Sequence, residues 1–312
     1  MTDILTVTMN PAVDVSTSAE QVTPTHKLRC AAPRHFPGGG GINVARVVQR
    51  LGGDVAALYP VGGLPGQQLR RMVDDEGVRS LCVDIGGDTR ESFSVVDRAS
   101  QQEYRFVLPG PALSAAEWQA CLDRIAALAP TPRYLVASGS LPPGVPDDFY
   151  ARLAALACAR GSQFVLDTSG PALAAALGTG VFLVKPSLRE LRELTGQPLA
   201  SAPEWQAAAQ ALVAGGQARV VVVSLGERGA LLVTAGEVCA VPALAVPVAS
   251  TTGAGDSFVG AMVWALARGD DLRSAFRHGV AAGAATLLSQ GSALCQPADV
   301  RRLYPAVQMP PV

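Results

Sequence analysis

Short apolar runs rich in β-branched residues alternate along this chain with longer stretches whose apolar positions recur every three or four residues. Ile4 to Thr8, Val55 to Val61, Tyr134 to Ala137, Phe164 to Leu166, Phe182 to Val184 and Val220 to Val223 form the first set. Ile42 to Leu51, Gly66 to Glu76, Ala115 to Leu128, Asp147 to Ala159, Leu188 to Thr195 and Glu204 to Ala214 form the second. The first pattern predicts strands buried on both faces, the second amphipathic helices. Their alternation predicts βαβ units, hence an α/β fold with a mainly parallel sheet covered by helices. In such sheets ligands bind beyond the carboxyl ends of the strands, so the polar residues that follow each strand carry the functional reading.

Two excursions break the rhythm. Lys27-Leu28-Arg29-Cys30-Ala31 alternates, as do Glu91-Ser92-Phe93-Ser94-Val95 and Glu103-Tyr104-Arg105-Phe106-Val107, with no helix between the last two. These segments predict a small antiparallel β lid, or a dimerisation element, within about 15–36 and 88–108. From Asp256 to Tyr304 the pattern is helical, with Ala- and Gly-rich surfaces suited to close packing.

Composition narrows the class. The chain has 312 residues, 49% hydrophobic and 16% charged, with net charge −1. No like-charge run gives a footprint for nucleic acid or an anionic membrane. No apolar run approaches the roughly 18 residues of a membrane span, and no basic region followed by an apolar block marks a signal peptide; a cytoplasmic protein is the expectation. Six scattered cysteines show no CxxC pair or zinc-ligand spacing, and three histidines, His26, His35 and His278, sit in no catalytic pattern.

The candidate chemistry centres on Ser250-Thr251-Thr252-Gly253-Ala254-Gly255-Asp256-Ser257, a glycine-rich turn feeding an apolar helical pattern. The first amides of a helix lack partners and carry the positive end of its dipole, so such a turn can bind an anion. A carboxylate beside an anion hole repels phosphate unless its task is to take a proton. Asp256 with Gly253, Ala254 and Gly255 therefore reads as a phosphoryl-transfer site, or as an ordinary helix start with an acid in its first turn. After the first strand comes Asn10-Pro11-Ala12-Val13-Asp14, whose carboxylate either binds sugar hydroxyls or closes an Asx turn. Pro37-Gly38-Gly39-Gly40-Gly41-Ile42-Asn43 places bare backbone and an amide where a polyol or phosphate could lie. Packing explains four glycines poorly, since each costs conformational entropy. Lys27, Arg29, Arg90 and Arg105 are either solvated edge-strand protection or, together, a phosphate clamp. Lys185, at a strand end, is placed to meet a nucleotide phosphate. Glu190 can hold a Mg²⁺-bound water or serve as a first-turn acid. Ser224-Leu225-Gly226-Glu227-Arg228-Gly229 predicts a tight turn between two strands. Neither a Walker loop nor a GxGxxG fingerprint is present.

With Asn10-Pro11-Ala12-x-Asp14, the glycine run ending in Ile42-Asn43-Val44-Ala45, Lys185-Pro186 and Gly253-Ala254-Gly255-Asp256 in order, the chain resembles the ribokinase-like, PfkB-type sugar kinases over essentially its whole length. Within that family Lys27-Leu28-Arg29-Cys30, Tyr104-Arg105-Phe106-Val107, Ser138-Gly139-Ser140-Leu141-Pro142-Pro143-Gly144-Val145 and Gly279-Val280-Ala281-Ala282-Gly283 are most similar to the 6-phosphofructokinase subgroup. The resemblance implies a single three-layer α/β/α domain over 1–312 and ATP-dependent phosphorylation of fructose 6-phosphate at its 1-hydroxyl. It implies Asp256 as general base and the backbone of Gly253 to Asp256 as anion hole. Asp14, Gly39, Gly40 and Asn43 would hold the sugar. Arg90, Arg105 and Ser140, with Lys27 and Arg29 from a neighbouring subunit of a homodimer formed through the lid, would face its phosphate. ATP would lie against Lys185, Ser187, Ser224, Gly226, Gly229, Val280 and Gly283, with Mg²⁺ assisted through Glu190 by way of water.

Ser187 stands where the family usually has Asn in its Asn-x-x-Glu motif, which implies weaker or more water-mediated metal binding. Some relatives bind a monovalent cation such as K⁺, and the matching positions are Ser250, Thr252, Thr286, Ser289 and Gly291. Kinases of fructose 1-phosphate or tagatose 6-phosphate share the scaffold and are the near alternatives. A non-catalytic sugar- or nucleotide-binding protein is the alternative from another class.

Overall fold

In the computed structural model residues 3–310 are described. The first half of the chain forms β1 (Ile4–Val7), β2 (Ala12–Ala19), β3 (Arg34–Gly38), α1 (Gly40–Arg50), β4 (Val55–Val61), α2 (Gly63–Asp75), β5 (Arg79–Asp84), β6 (Arg90–Asp97) and β7 (Glu103–Val107). There follow α3 (Ala115–Ala126), β8 (Tyr134–Ser138), α4 (Phe149–Ala159), β9 (Gln163–Asp167), α5 (Gly170–Ala176), β10 (Val181–Val184), α6 (Leu188–Thr195) and α7 (Ala202–Ala214). The last part comprises β11 (Val220–Ser224), β12 (Ala230–Val233), β13 (Val238–Val241), α8 (Ala254–Ala267), α9 (Leu272–Leu287) and α10 (Pro297–Leu303).

The main sheet has the order β13-β12-β11-β10-β9-β8-β1-β4-β5, parallel from β5 to β11 and antiparallel at β12 and β13. Alternate residues of one strand serve two cores. Ile4, Val55, Ala57 and Tyr134 face α1, α2, α8 and α9, while Leu5, Ala56, Leu58 and Leu135 face α3, α4 and the helices beyond. Burial on both faces is the reason these strands read as continuous apolar runs. Helix α8 is apolar nearly all round because it is enclosed, packing on α1 and α9. A Cβ on Gly260 would press on Val47, and one on Gly279 on Phe258. Among the described residues no helix is long and apolar enough to cross a membrane.

A second sheet, β3-β2-β6-β7, stands beside the first. Strands β3 and β2 run antiparallel, as do β6 and β7, while β2 and β6 lie parallel. The expected strand at Lys27–Ala31 is not formed. Residues 20–33 are loop, tied to the sheet where Cys30 bridges Ala19, by Ala31 to Ser18 and Thr17, and by the Val22 amide to Asp97. Alternation needs a core to face, and this segment is mostly exposed. The strands are instead Ala12–Ala19 and Arg34–Gly38, the second an edge strand that tolerates Pro37.

Candidate active site

Helix α8 begins at Ala254 with Gly253 as its N-cap in the left-handed region, φ 77°. A Cβ there would overlap the Leu294 side chain, so glycine is required by both conformation and space. The amides of the first turn have no carbonyl of their own helix to bond, and Asp256 is the third residue of that turn. Its Oδ2 accepts a hydrogen bond from Asn43 Nδ2 at 2.9 Å and its Oδ1 one from Ser138 Oγ at 3.4 Å. Burial pushes the Asp256 carboxyl above the usual carboxylate range, against the pull of Asn43, Lys185 and Ser138. A raised, amide-held carboxylate beside unpaired N–H groups suits a proton acceptor.

Parallel neighbours β9 and β10 place Asp167 and Lys185 side by side, and Lys185 Nζ lies 3.1 Å from Asp167 Oδ1. Burial alone would lower the Lys185 pKa. Asp167, with Glu190 and Asp256 further off, more than offsets this and raises it. The Asp167 carboxyl is pushed up to about 6 by burial, partly restrained by Lys185. A Cβ on Gly255 would stand 3.3 Å from Lys185 Nζ, so the ammonium sits against the glycine turn, shared with Asp167.

Ser187 and Glu190 cap α6 reciprocally. Ser187 Oγ accepts from the Glu190 amide at 3.2 Å, and Glu190 Oε2 accepts from the Ser187 amide at 2.8 Å. The first-turn role thus accounts for Glu190 as it stands. Among the described residues no group of three or more His, Cys, Asp or Glu could hold a metal ion. A magnesium ion here would be held largely by nucleotide and water, which suits its reluctance to dehydrate. Near the turn Gly226-Glu227-Arg228, Gly226 and Gly229 both take positive φ, and a Cβ on Gly229 would overlap Val241 O. Gly283 on α9 faces the start of α8, a Cβ there lying 3.4 Å from Ala254 O, and Val280 lies one turn earlier. The Ser224 amide donates to Pro186 O at 3.0 Å, joining the two loops.

On the other side, Asp14 Oδ2 accepts from Ser292 Oγ at 3.0 Å, and burial raises its carboxyl pKa against Ser292, Arg105, Arg90 and Arg46. Ser140 Oγ accepts from Asn10 Nδ2 at 3.1 Å. Arg90 is not a free cation. Its Nη1 donates to Leu108 O at 2.8 Å and its Nη2 to Asn10 O at 2.9 Å, stapling the second sheet to the first, while its buried Nε has no partner. Arg105 is exposed, as are Lys27 and Arg29. Packing by itself calls for the glycine run, which the reading from sequence held it to explain poorly. A Cβ on Gly38 would stand 2.5 Å from the Asp14 carboxylate, one on Gly39 2.6 Å from Thr8 Cγ2 and one on Gly41 2.5 Å from Val7 O, and one on Gly40 would overlap Ser138 Oγ.

The hydroxyls at the proposed cation positions are largely turned to protein. Ser250 Oγ donates to Glu103 Oε2 at 3.0 Å, Thr286 Oγ1 to Ala282 O at 2.9 Å and Ser289 Oγ to Leu294 O at 2.8 Å; buried Thr252 Oγ1 lacks a partner. Gly291 packs against Ser16. A cation there would rely on backbone carbonyls. The reading from sequence missed Asp167, Ser138 and Arg46 as site residues. The strand-end rule reaches the first two. Arg46 lies one turn after Asn43, the spacing that puts both on one helix face.

A doubly covered parallel sheet with a side lid, and a glycine-capped helix presenting a carboxylate beside the strand ends, define a sugar-kinase architecture. The profile of the pfkB family of carbohydrate kinases matches residues 6–299, and the chain belongs to that family. It is 48% identical over 301 residues to the ATP-dependent 6-phosphofructokinase isozyme 2 of Mycobacterium tuberculosis (strain ATCC 25618 / H37Rv), covering 96% of this chain and 88% of the relative. It is 37% identical over 268 residues to a 1-phosphofructokinase of Xanthomonas campestris, covering 84% and 83%. The crystal structure of phosphofructokinase-2 from Escherichia coli in complex with potassium superposes with a TM-score of 0.94 at 42% identity, covering 98% and 99%. That E. coli protein is also known in a tetrameric inhibited form.

Proposed function

We propose that this chain, as one domain over 1–312 with lid segments about 15–36 and 88–108, transfers the terminal phosphoryl group of ATP to the 1-hydroxyl of fructose 6-phosphate. The products are fructose 1,6-bisphosphate and ADP. The observation that carries this reading is the setting of Asp256: raised by burial, held by Asn43 and Ser138, and in no ion pair among the described residues. Asp256 takes the hydroxyl proton as the sugar oxygen bonds to the γ-phosphorus. The bond to the β–γ bridging oxygen then breaks, and its electron pair leaves on ADP. The backbone N–H groups of Gly253 to Asp256 receive the charge on the moving phosphoryl group.

Asp14, Gly39, Gly40 and Asn43 line the sugar. Arg105, the remaining donors of Arg90, and Ser140 face its phosphate. Lys185, Ser187, Ser224, Gly226, Gly229, Val280 and Gly283 border the nucleotide. Magnesium carried with ATP would neutralise phosphate charge, Glu190 reaching it through water. Potassium, named in the E. coli relative's crystal structure, would lie by Ser250, Thr252, Thr286, Ser289 and Gly291. The preference for fructose 6-phosphate rests on the relatives of higher identity, and the Xanthomonas relative favours fructose 1-phosphate as the second reading. kcat/KM on fructose 6-phosphate, fructose 1-phosphate and tagatose 6-phosphate is expected to be highest for the first, and a preference for fructose 1-phosphate overturns the assignment. In the same assay Arg105→Ala should raise KM for the sugar phosphate about tenfold or more, as for loss of a charge-assisted contact, with KM for ATP nearly unchanged.

The second sheet supports a homodimer. Phe93 and Phe106 are directly paired across β6 and β7, Tyr104 shares their face, and Phe93, Tyr104 and Phe106 are 37%, 37% and 53% exposed. Such a patch on a soluble domain marks an interface, and a second copy there could bring Lys27 and Arg29 to the neighbouring site. Light scattering at micromolar protein should give a dimer, and a mass of one chain removes this proposal.

A further inference from the structure

Arg46 is the most deeply buried charged residue in the molecule's site region, 1% exposed on the inner face of α1. Its Nε donates to Glu76 Oε1 at 2.7 Å, and its Nη2 lies 2.6 Å from the same oxygen. Glu76 is fixed in turn by Arg50, whose Nη2 donates to Glu76 Oε2 at 2.8 Å. With one edge of the guanidinium so anchored, Nη1 reaches Asn43 Oδ1 at 3.1 Å, Pro37 O at 3.0 Å and Ser292 O at 3.2 Å.

A guanidinium only donates, whereas an amide has one accepting and one donating end. Arg46 therefore dictates which way the Asn43 amide lies: Oδ1 toward the arginine, and the NH₂ group toward Asp256 Oδ2, 2.9 Å away. Turned over, the amide would set its oxygen against a carboxylate oxygen, two acceptors facing each other, and its NH₂ group against the guanidinium, two donors facing each other. We propose that Arg46 is a positioning residue for phosphoryl transfer, a donor-only group braced by Glu76 that locks the Asn43 amide so that its N–H bond holds the Asp256 carboxylate toward the reacting hydroxyl. This rests on the reading of Asp256 as the base. The chain of contacts runs Glu76, Arg46, Asn43, Asp256, and only the last two would touch the substrates.

The other charged groups that bear on Asp256 are Lys185 at the end of β10, which favours its ionised form, and Asp14 on β2, which opposes it. Asp167 at the end of β9 faces Lys185. None of these is hydrogen-bonded to Arg46, but Asp14 feels its charge, so a change at Arg46 has two routes to Asp256, through Asn43 and through Asp14, which the Asn43→Ala background separates. Losing a hydrogen bond to the ionised form moves a carboxyl pKa upward. The purified full-length Arg46→Met protein is therefore expected to show the acid limb of its kcat profile displaced to higher pH by about one unit. Its kcat at neutral pH should fall about tenfold, with KM for ATP within about threefold. In an Asn43→Ala background, adding Arg46→Met should leave the acid limb where Asn43→Ala alone put it. Arg46→Lys, which keeps a charge for Glu76 but loses the planar fork, gives the same displacement to a smaller degree and serves if Arg46→Met does not fold. An acid limb unmoved in either folded variant overturns the proposal, as does a full displacement that persists in the Asn43→Ala background. Asp256→Asn separates the two readings. Native turnover in that variant overturns the base itself, whereas lost turnover there with an unmoved limb at Arg46 overturns only the role of Arg46.

Discussion

Replacing Asp256 with asparagine is expected to cut kcat by about 10²–10⁴-fold, the range set by loss of a general base, while KM for both substrates stays close to native. Asparagine keeps the shape, accepting from Asn43 through its oxygen and donating its NH₂ to Ser138 Oγ, but cannot take a proton. An interaction needed only in the transition state shows in kcat and not in KM. The pH behaviour follows from burial. Asp256 must be ionised to act, and burial raises its pKa, so turnover falls as pH drops through that raised value, above the usual carboxylate range. Stability runs the other way. The folded protein binds this proton more tightly than the unfolded chain, so its ionised form weakens the fold above the folded pKa, and the weakness is relieved as pH falls through it. Asp256→Asn removes the buried charge and should raise the calorimetric Tm at neutral pH as it abolishes turnover, the trade expected of a group kept for chemistry. Native turnover, or a lowered Tm together with lost ligand binding, would mean that Asp256 is a structural acid. A native protein that binds both ligands without turnover would leave only the binding reading.

The strands of the main layer were legible as unbroken apolar runs because they are buried on both sides, and most of its helices by a three- to four-residue period because they are buried on one. Strand β7 was predicted at its observed bounds. The edge of the sheet was harder. Arg79–Asp84 pairs only with β4 and is half exposed, and its apolar residues are the three of Leu81-Cys82-Val83 between polar ends. Lys27–Ala31 shows the reverse error, alternation with no core beneath it. At the site, Asp256, Asn43, Asp14 and Lys185 stand at strand ends and helix starts, positions that local chemistry marks. Arg46 could not be found that way. On a helix it reads like any solvated charge, and its burial depends on Glu76, 30 residues along the chain, and on Ser292 from the opposite end. The hold on Arg90 was hidden for a related reason: the carbonyls that accept from it, Leu108 and Asn10, come from distant turns.

Gly41→Ala is expected to have the second large effect, and it separates the two explanations of the glycine run. An added Cβ would stand 2.5 Å from Val7 O and 2.6 Å from Thr8 Oγ1. Val7 belongs to the central strand β1 and cannot yield, and Thr8 Oγ1 is the group that accepts from the Ile42 amide at 2.8 Å. The first turn of α1 must therefore lift off the sheet, at a cost of roughly 1–3 kcal/mol for overpacking a closed core. Asn43 and Arg46 ride on that turn, so the support of Asp256 moves with it, and a displacement of about 1 Å can cost on the order of 100-fold in rate. Gly236→Ala is the control, since that position is exposed, has no atom within 4 Å of a new Cβ and needs no positive φ; its Tm and kcat should match the native protein. Thermal melting and steady-state assays on the two variants check the expectation. A Gly41→Ala protein as stable as Gly236→Ala but unable to bind sugar would show that the run serves the ligand, whereas loss of stability and rate together shows that bare backbone there lets helix and sheet meet.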